Sequence, residues 1–123
     1  KCYTEAVSRA LSGVSNRRSF ENFERLFRKY GHERPDIPLL TATTLLVPGY
    51  VDDHEVERIA VSLADLDKEI PYSLLVFHPD FMMRDLPVTP YRQVEDCYRA
   101  AKKYLARVNI GNLATLGIRS WPT

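Results

Sequence analysis

Cysteine is scarce in this chain. Cys2 and Cys97 are the whole complement in 123 residues. They stand far apart, and no CxxC or CxxxC spacing exists, so these residues build no thiolate cage for zinc or an iron–sulfur cluster. Sequence leaves a disulfide between them open. Cys97 falls on the apolar face of a predicted helix, where a buried free thiol is the expectation. Two cysteines and no signal-like segment fit a reducing, cytoplasmic compartment. An excess of charge is also missing. Seventeen Lys and Arg against sixteen Asp and Glu give a net charge of +1, which makes no case for a nucleic-acid partner or an anionic membrane. No apolar run is long enough to cross a bilayer. The first residue is Lys1 rather than Met. The expectation is therefore a chain that starts inside a longer gene product or was trimmed.

What is present is ordinary for a globular domain, with 45% hydrophobic and 27% charged residues. Two runs stand out, Leu45-Leu46-Val47-Pro48-Gly49-Tyr50 and Leu74-Leu75-Val76-Phe77-His78-Pro79. Each is apolar and strand-like and stops at Pro, Gly or His. The spacing predicts a short helix over Thr4–Leu11 ended by Gly13, and a second over Arg17–Tyr30 with Phe20, Phe23, Leu26, Phe27 and Tyr30 on one face. Leu39–Val47 has no charge and reads as a strand covered on both faces. Asp52 with Glu55 three residues on is a capping-box-like helix start. Val56, Ile59, Ala60, Leu63 and Leu66 follow at helical spacing. Tyr72–Phe77 reads as a second buried strand. Thr89-Pro90 reads as an N-cap followed by proline at the first helical position. Val94, Cys97, Tyr98, Ala101 and Leu105 form that helix's buried stripe, and Val108–Ile110 is a third strand. The tail, 113–123, holds the one Trp, Trp121, and shows no period.

Helices alternate with strands, and each connection is long enough for a parallel crossover. The fold class is α/β. An open doubly wound sheet and an arc of a barrel both fit. A complete eight-unit barrel does not, because it takes about 250 residues. Parallel strands would bring Pro48-Gly49-Tyr50, His78-Pro79-Asp80 and Gly111-Asn112 to one rim, the C-terminal end where α/β folds do their chemistry.

His78 leads the candidates there. An imidazole at a strand end can donate to a carboxylate or phosphate, or move a proton; capping its own loop is the plain alternative. His54 in a first helical turn and His32 in a polar loop read as solvated. Asp52 and Asp53 are explained by helix capping. Asp80 and Asp85 are loop carboxylates, and Met82-Met83 reads as packing. Arg17-Arg18 reads as a solvated basic pair. Gly49 permits close backbone approach to a ligand, and Pro48 fixes the turn.

Several of these pieces together resemble the C-terminal half of a radical S-adenosylmethionine (radical SAM) enzyme. The similarity is to the activating enzymes of pyruvate formate-lyase and their archaeal and bacterial homologues. The carrying pieces are Ser12-Gly13-Val14-Ser15-Asn16, Glu21-Asn22-Phe23, Val47-Pro48-Gly49-Tyr50 with Asp52-Asp53, Phe77-His78-Pro79-Asp80, Thr89-Pro90 and Gly111-Asn112. They span 1–112 and leave 113–123 unassigned. The resemblance implies the C-terminal part of a partial (β/α)6 TIM-like barrel, with parallel strands and crossover helices. It implies SAM contacts at Lys1 (the Lys of an Asp-x-Lys motif), at His78, and through backbone near Leu45 and Leu75. Thr43 stands where some relatives carry a basic residue. The family's [4Fe-4S] cluster, held by CxxxCxxC on the first strand, and its glycine-rich SAM site lie outside these residues.

The implied enzyme is an oxidoreductase that reductively cleaves SAM to generate a radical on a substrate, a glycyl radical if the substrate is a protein. This chain alone is expected to be inactive, with no catalytic or metal-ligating residue of its own. The missing N-terminal half is its expected partner, and the isolated piece is expected to self-associate. The alternative is a non-catalytic α/β binding or interaction module.

Overall fold

In a computed structural model, which describes residues 3–13, 15–30, 40–79 and 85–122, helices α1 (Glu5–Ser12) and α2 (Arg17–Tyr30) precede strand β1 (Ala42–Leu46). Helix α3 (Asp53–Leu66), strand β2 (Tyr72–Val76), helix α4 (Tyr91–Lys102) and strand β3 (Val108–Gly111) follow. A 3-10 turn over Leu113–Leu116 closes the order. The strands form one parallel sheet in the order β1-β2-β3. The protein is therefore α/β with parallel strands and helical crossovers. The pairing sets Thr44 against Leu74 and Leu46 against Val76, and then Leu74 against Ile110 and Leu75 against Gly111.

One face of this sheet is buried and the other is not. Thr44, Leu46, Tyr72, Leu74, Val76 and Ile110 point into the core, where they meet Val56, Ile59, Ala60 and Leu63 of α3 and Val94, Cys97 and Ala101 of α4. The intervening residues point away from the helices. Leu45 is 41% exposed, Thr43 and Asn109 are exposed, and Ser73 and Leu75 are half-buried. This corrects the expectation of strands covered on both faces. An uncharged run does not require two covered faces. It also fits a strand whose second face is neutral and uncovered.

Capping follows local chemistry. Asp52 accepts from the Glu55 amide at 3.0 Å and starts α3. The Glu55 carboxylate does not return to the cap, as a capping box would have it. It accepts from the Tyr3 amide at 2.7 Å, the Thr4 amide at 2.9 Å and the Thr4 hydroxyl, so it ties the start of α1 to α3. Gly13 ends α1 in the left-handed region at φ 76°. In α2, Phe27 is buried and Phe20 and Phe23 pack against the core, but Leu26 is 41% exposed and leaves the predicted face. Ile70 and Tyr72 are buried as the chain re-enters the sheet, and the Tyr72 hydroxyl donates to Thr44 Oγ1 at 2.8 Å. The tail is fixed by aromatic contact: Trp121 stacks on Tyr91 at 5.0 Å and meets Tyr98 at 5.8 Å.

Cys97 is a free, fully buried thiol. Burial, then the nearby charges of Asp53, Asp52 and Asp96, push its pKa up to about 12 from 9.0. The folded state then holds the proton more tightly than the unfolded chain. Its contribution to stability is full below pH 9 and falls as pH rises toward 12. Urea unfolding across that window should show a decline approaching about 1.4 kcal/mol per pH unit, flattened in Cys97→Ala. An unchanged slope in the variant would contradict the assignment.

Candidate functional site

Parallel pairing brings the C-terminal ends of all three strands to one rim. At β1 the chain turns through Val47-Pro48-Gly49-Tyr50, where the Tyr50 amide donates to the Val47 carbonyl at 3.2 Å. Gly49 sits at φ 80°, the left-handed geometry a type II turn needs at its third position. Nothing lies within 4 Å of where its Cβ would stand. The turn therefore selects glycine for its backbone conformation and leaves open space beside it.

The three ends are cross-linked by polar side chains. Thr89, buried, accepts from the Phe77 amide at 2.7 Å and donates to the Leu46 carbonyl at 2.7 Å. Its own amide donates to the Phe77 carbonyl at 3.3 Å. One hydroxyl thus locks the exit of β1 to that of β2. Helix α4 has Pro90 as its N-cap, without a side-chain cap bond. The Thr89-Pro90 pair is therefore not the predicted cap: the hydroxyl is spent between strands. Asn112, at φ 61°, donates from Nδ2 to the Val76 carbonyl at 3.3 Å and joins the end of β3 to β2. Gln93 donates to the Val51 carbonyl at 2.7 Å and holds the β1–α3 loop against α4.

Below this rim the uncovered face carries two rows. Thr43, Ser73 and Asn109 are register partners and form a polar row. Leu45, Leu75 and Gly111 form an apolar row one step nearer the rim. A Cβ on Gly111 would collide with the Leu75 side chain, so glycine gives Leu75 its position. No side chain of either row carries a charge.

The predicted site residues fall as follows. Leu45 and Leu75 are adjacent on the uncovered face. His78 is exposed, two residues beyond the end of β2 on the same rim. Lys1 lies outside the described residues, as do His32, Asp80, Met82 and Met83. His54 is exposed in the first turn of α3, and Asp52 acts as the cap. Arg17 pairs with Glu21 along its own helix at 3.0 Å. Among the described residues no group of three or more His, Cys, Asp or Glu is placed to hold a metal ion. No described helix is long and apolar enough to cross a membrane. Thr89, Asn112 and Gln93 are the rim residues whose roles the sequence did not reveal. Each bonds to backbone distant in sequence, which no local pattern marks.

A concavity lies away from the rim. A half-open groove of about 960 Å³ runs along the flank of β1 between α2 and α3. Tyr3, Phe20 and Phe23 line one side, and Thr41, Thr43 and Leu63 line the other. No protein-family model and no curated protein matches the chain.

Proposed function

We propose that this chain is the C-terminal part of a radical SAM enzyme of the glycyl-radical-activating type, and that its uncovered sheet face binds the adenosine part of SAM. The observation that carries the proposal is the pairing of Leu45 with Leu75 on a neutral, uncovered face directly below the rim that holds His78. The strand order, unreversed among the described strands, fits a barrel arc, as does the placement of α3 and α4 side by side on one face. Helices are about 10 Å across and strands about 4.8 Å apart, so helices added to one face bend the sheet away from them. In that reading the uncovered face is the concave inner face of the barrel wall.

The residues of this chain have limited roles in that reading. Leu45 and Leu75 present apolar surface to a planar base, and Gly111 keeps the backbone of β3 close to it. His78 donates a hydrogen bond to the ligand from the rim. Thr43 is neutral, so β1 offers no cation to a carboxylate. In the complete protein an iron–sulfur cluster would supply the electron that cleaves SAM. The residues described here do not fit that cluster, since Cys97 is buried and holds its proton. The N-terminal half of the same protein is therefore the required partner, and a protein is the proposed substrate. The rival reading, a non-catalytic α/β module, draws on the same lack of cluster ligands.

Titration of the isolated chain with SAM, followed by amide chemical shifts, tests the face. Shifts concentrated at Leu45, Leu75, Gly111 and His78 are the expected result. Shifts centred on Phe20, Phe23 and Leu63 would place the ligand in the flank groove and contradict the reading.

A further inference from the structure

We infer that Thr89 and Gln93, at the start of α4, are positioning residues for ligand binding at the rim. Together they preset the turn 47–50 and the backbone that presents His78. The effect on a ligand builds on the SAM reading above; the presetting of the rim does not.

The turn has little to hold it from within. The Tyr50 and Val51 amides both donate to one carbonyl, that of Val47, at 3.2 Å and 3.0 Å. Gly49 and Tyr50 are exposed, and Gly49 has open space beside it at φ 80°. The turn is instead fixed at its two shoulders, and both fixings come from the start of α4. Before the turn, the Leu46 carbonyl accepts from Thr89 Oγ1 at 2.7 Å. After it, the Val51 carbonyl accepts from Gln93 Nε2 at 2.7 Å. Leu46 and Val51 are themselves buried, so both shoulders are set in the core.

The exit of β2 is held by the same hydroxyl. Thr89 Oγ1 accepts from the Phe77 amide at 2.7 Å, and the Thr89 amide donates to the Phe77 carbonyl at 3.3 Å. From the other flank Asn112 Nδ2 donates to the Val76 carbonyl at 3.3 Å. The next residue is His78, which is exposed. Its imidazole is therefore carried on backbone bonded from two sides.

The residue types suit this task. One atom must accept from an amide and donate to a carbonyl, which a hydroxyl does and a carboxylate or methyl does not. Helical side chains lean toward the N-terminus of their helix. An amide in the first turn of α4 therefore reaches past the helix start to the loop at Val51. A ligand that meets a preset turn does not pay to order it on binding. Thr89 and Gln93 thus act on affinity through the turn and His78, without touching the ligand.

The test compares Thr89→Val, Thr89→Ser, Gln93→Met and Tyr72→Phe in the full chain. Tyr72→Phe removes a buried hydroxyl that donates to Thr44 at 2.8 Å, away from the rim, and controls for lost stability alone. Backbone order parameters from nuclear spin relaxation read the positioning without a ligand. Gly49 and Tyr50 should fall from about 0.85 to below about 0.6 in Gln93→Met, and His78 likewise in Thr89→Val. Thr89→Ser and Tyr72→Phe should leave all three residues as in the native chain. SAM should bind about fivefold or more weakly to the two loosened variants and as to the native chain in the other two. If Thr89→Val does not fold, Gln93→Met decides, because Gln93 is only half-buried. Unchanged order parameters, or equal loosening in Tyr72→Phe, would overturn the inference. Loosening with unchanged SAM affinity would also overturn it, since both residues would then be structural only. A native chain that binds no SAM would instead overturn the SAM reading, and the order parameters would still decide whether α4 presets the rim.

Discussion

Thr89→Val should cost about 2–4 kcal/mol in urea unfolding, far more than its near-identical shape suggests. The substitution keeps the volume and removes the hydroxyl. The Phe77 amide and the Leu46 carbonyl, each bonded to that hydroxyl at 2.7 Å, would lose their shared partner. An unsatisfied buried backbone group costs about 1–3 kcal/mol, and two are created at once. Thr89→Ser keeps the hydroxyl and loses one methyl, so it should cost about 1 kcal/mol. The order Val worse than Ser separates the cross-link from simple packing. The damage should be local as well, with faster exchange at Phe77 before any change in the middle of α3. Equal costs for Val and Ser would show that Thr89 acts through packing alone.

Leu45→Glu should reduce SAM affinity by about tenfold or more while moving the unfolding free energy by no more than about 0.5 kcal/mol. Leu45 is 41% exposed and outside the core, so folding has little at stake there. On the proposed reading the same side chain faces the adenine. A carboxylate there would be desolvated against a neutral face, beside Leu75 and with no cation on Thr43, and would be penalised on binding. Leu45→Met, which keeps an apolar side chain, should bind nearly as the native chain does. A Leu45→Glu variant that keeps both stability and affinity would remove the uncovered face from the site.

The elements were legible because their cues are local. Phe20, Phe23 and Phe27 recur at helical spacing, Asp52 precedes its helix, and Pro48-Gly49 stops β1; each needs only its neighbours in sequence. The parallel rim was legible for the same reason, since long connections between short strands leave parallel pairing as the simple solution. Coverage of the sheet was not legible. Thr43-Thr44-Leu45-Leu46 has no charge on either face, so alternation gives no sign of which side meets helices. The roles of Thr89 and Glu55 were hidden for another reason. Both residues suit helix starts, and both are used instead by partners far along the chain, Leu46 and Tyr3. The tail had no period because Trp121 docks by stacking on Tyr91 and Tyr98 rather than through a regular element.

The central claim, that these strands are the later part of a larger SAM-binding barrel, is tested most directly by reading the coding sequence upstream of Lys1. At about 30 residues for each strand–helix unit, the strand that carries the cluster ligands should lie roughly a hundred residues earlier. The expected result is an open frame there encoding CxxxCxxC, with an Asp two residues before Lys1. A start codon a few residues upstream, or a continuous frame without those cysteines, would contradict it.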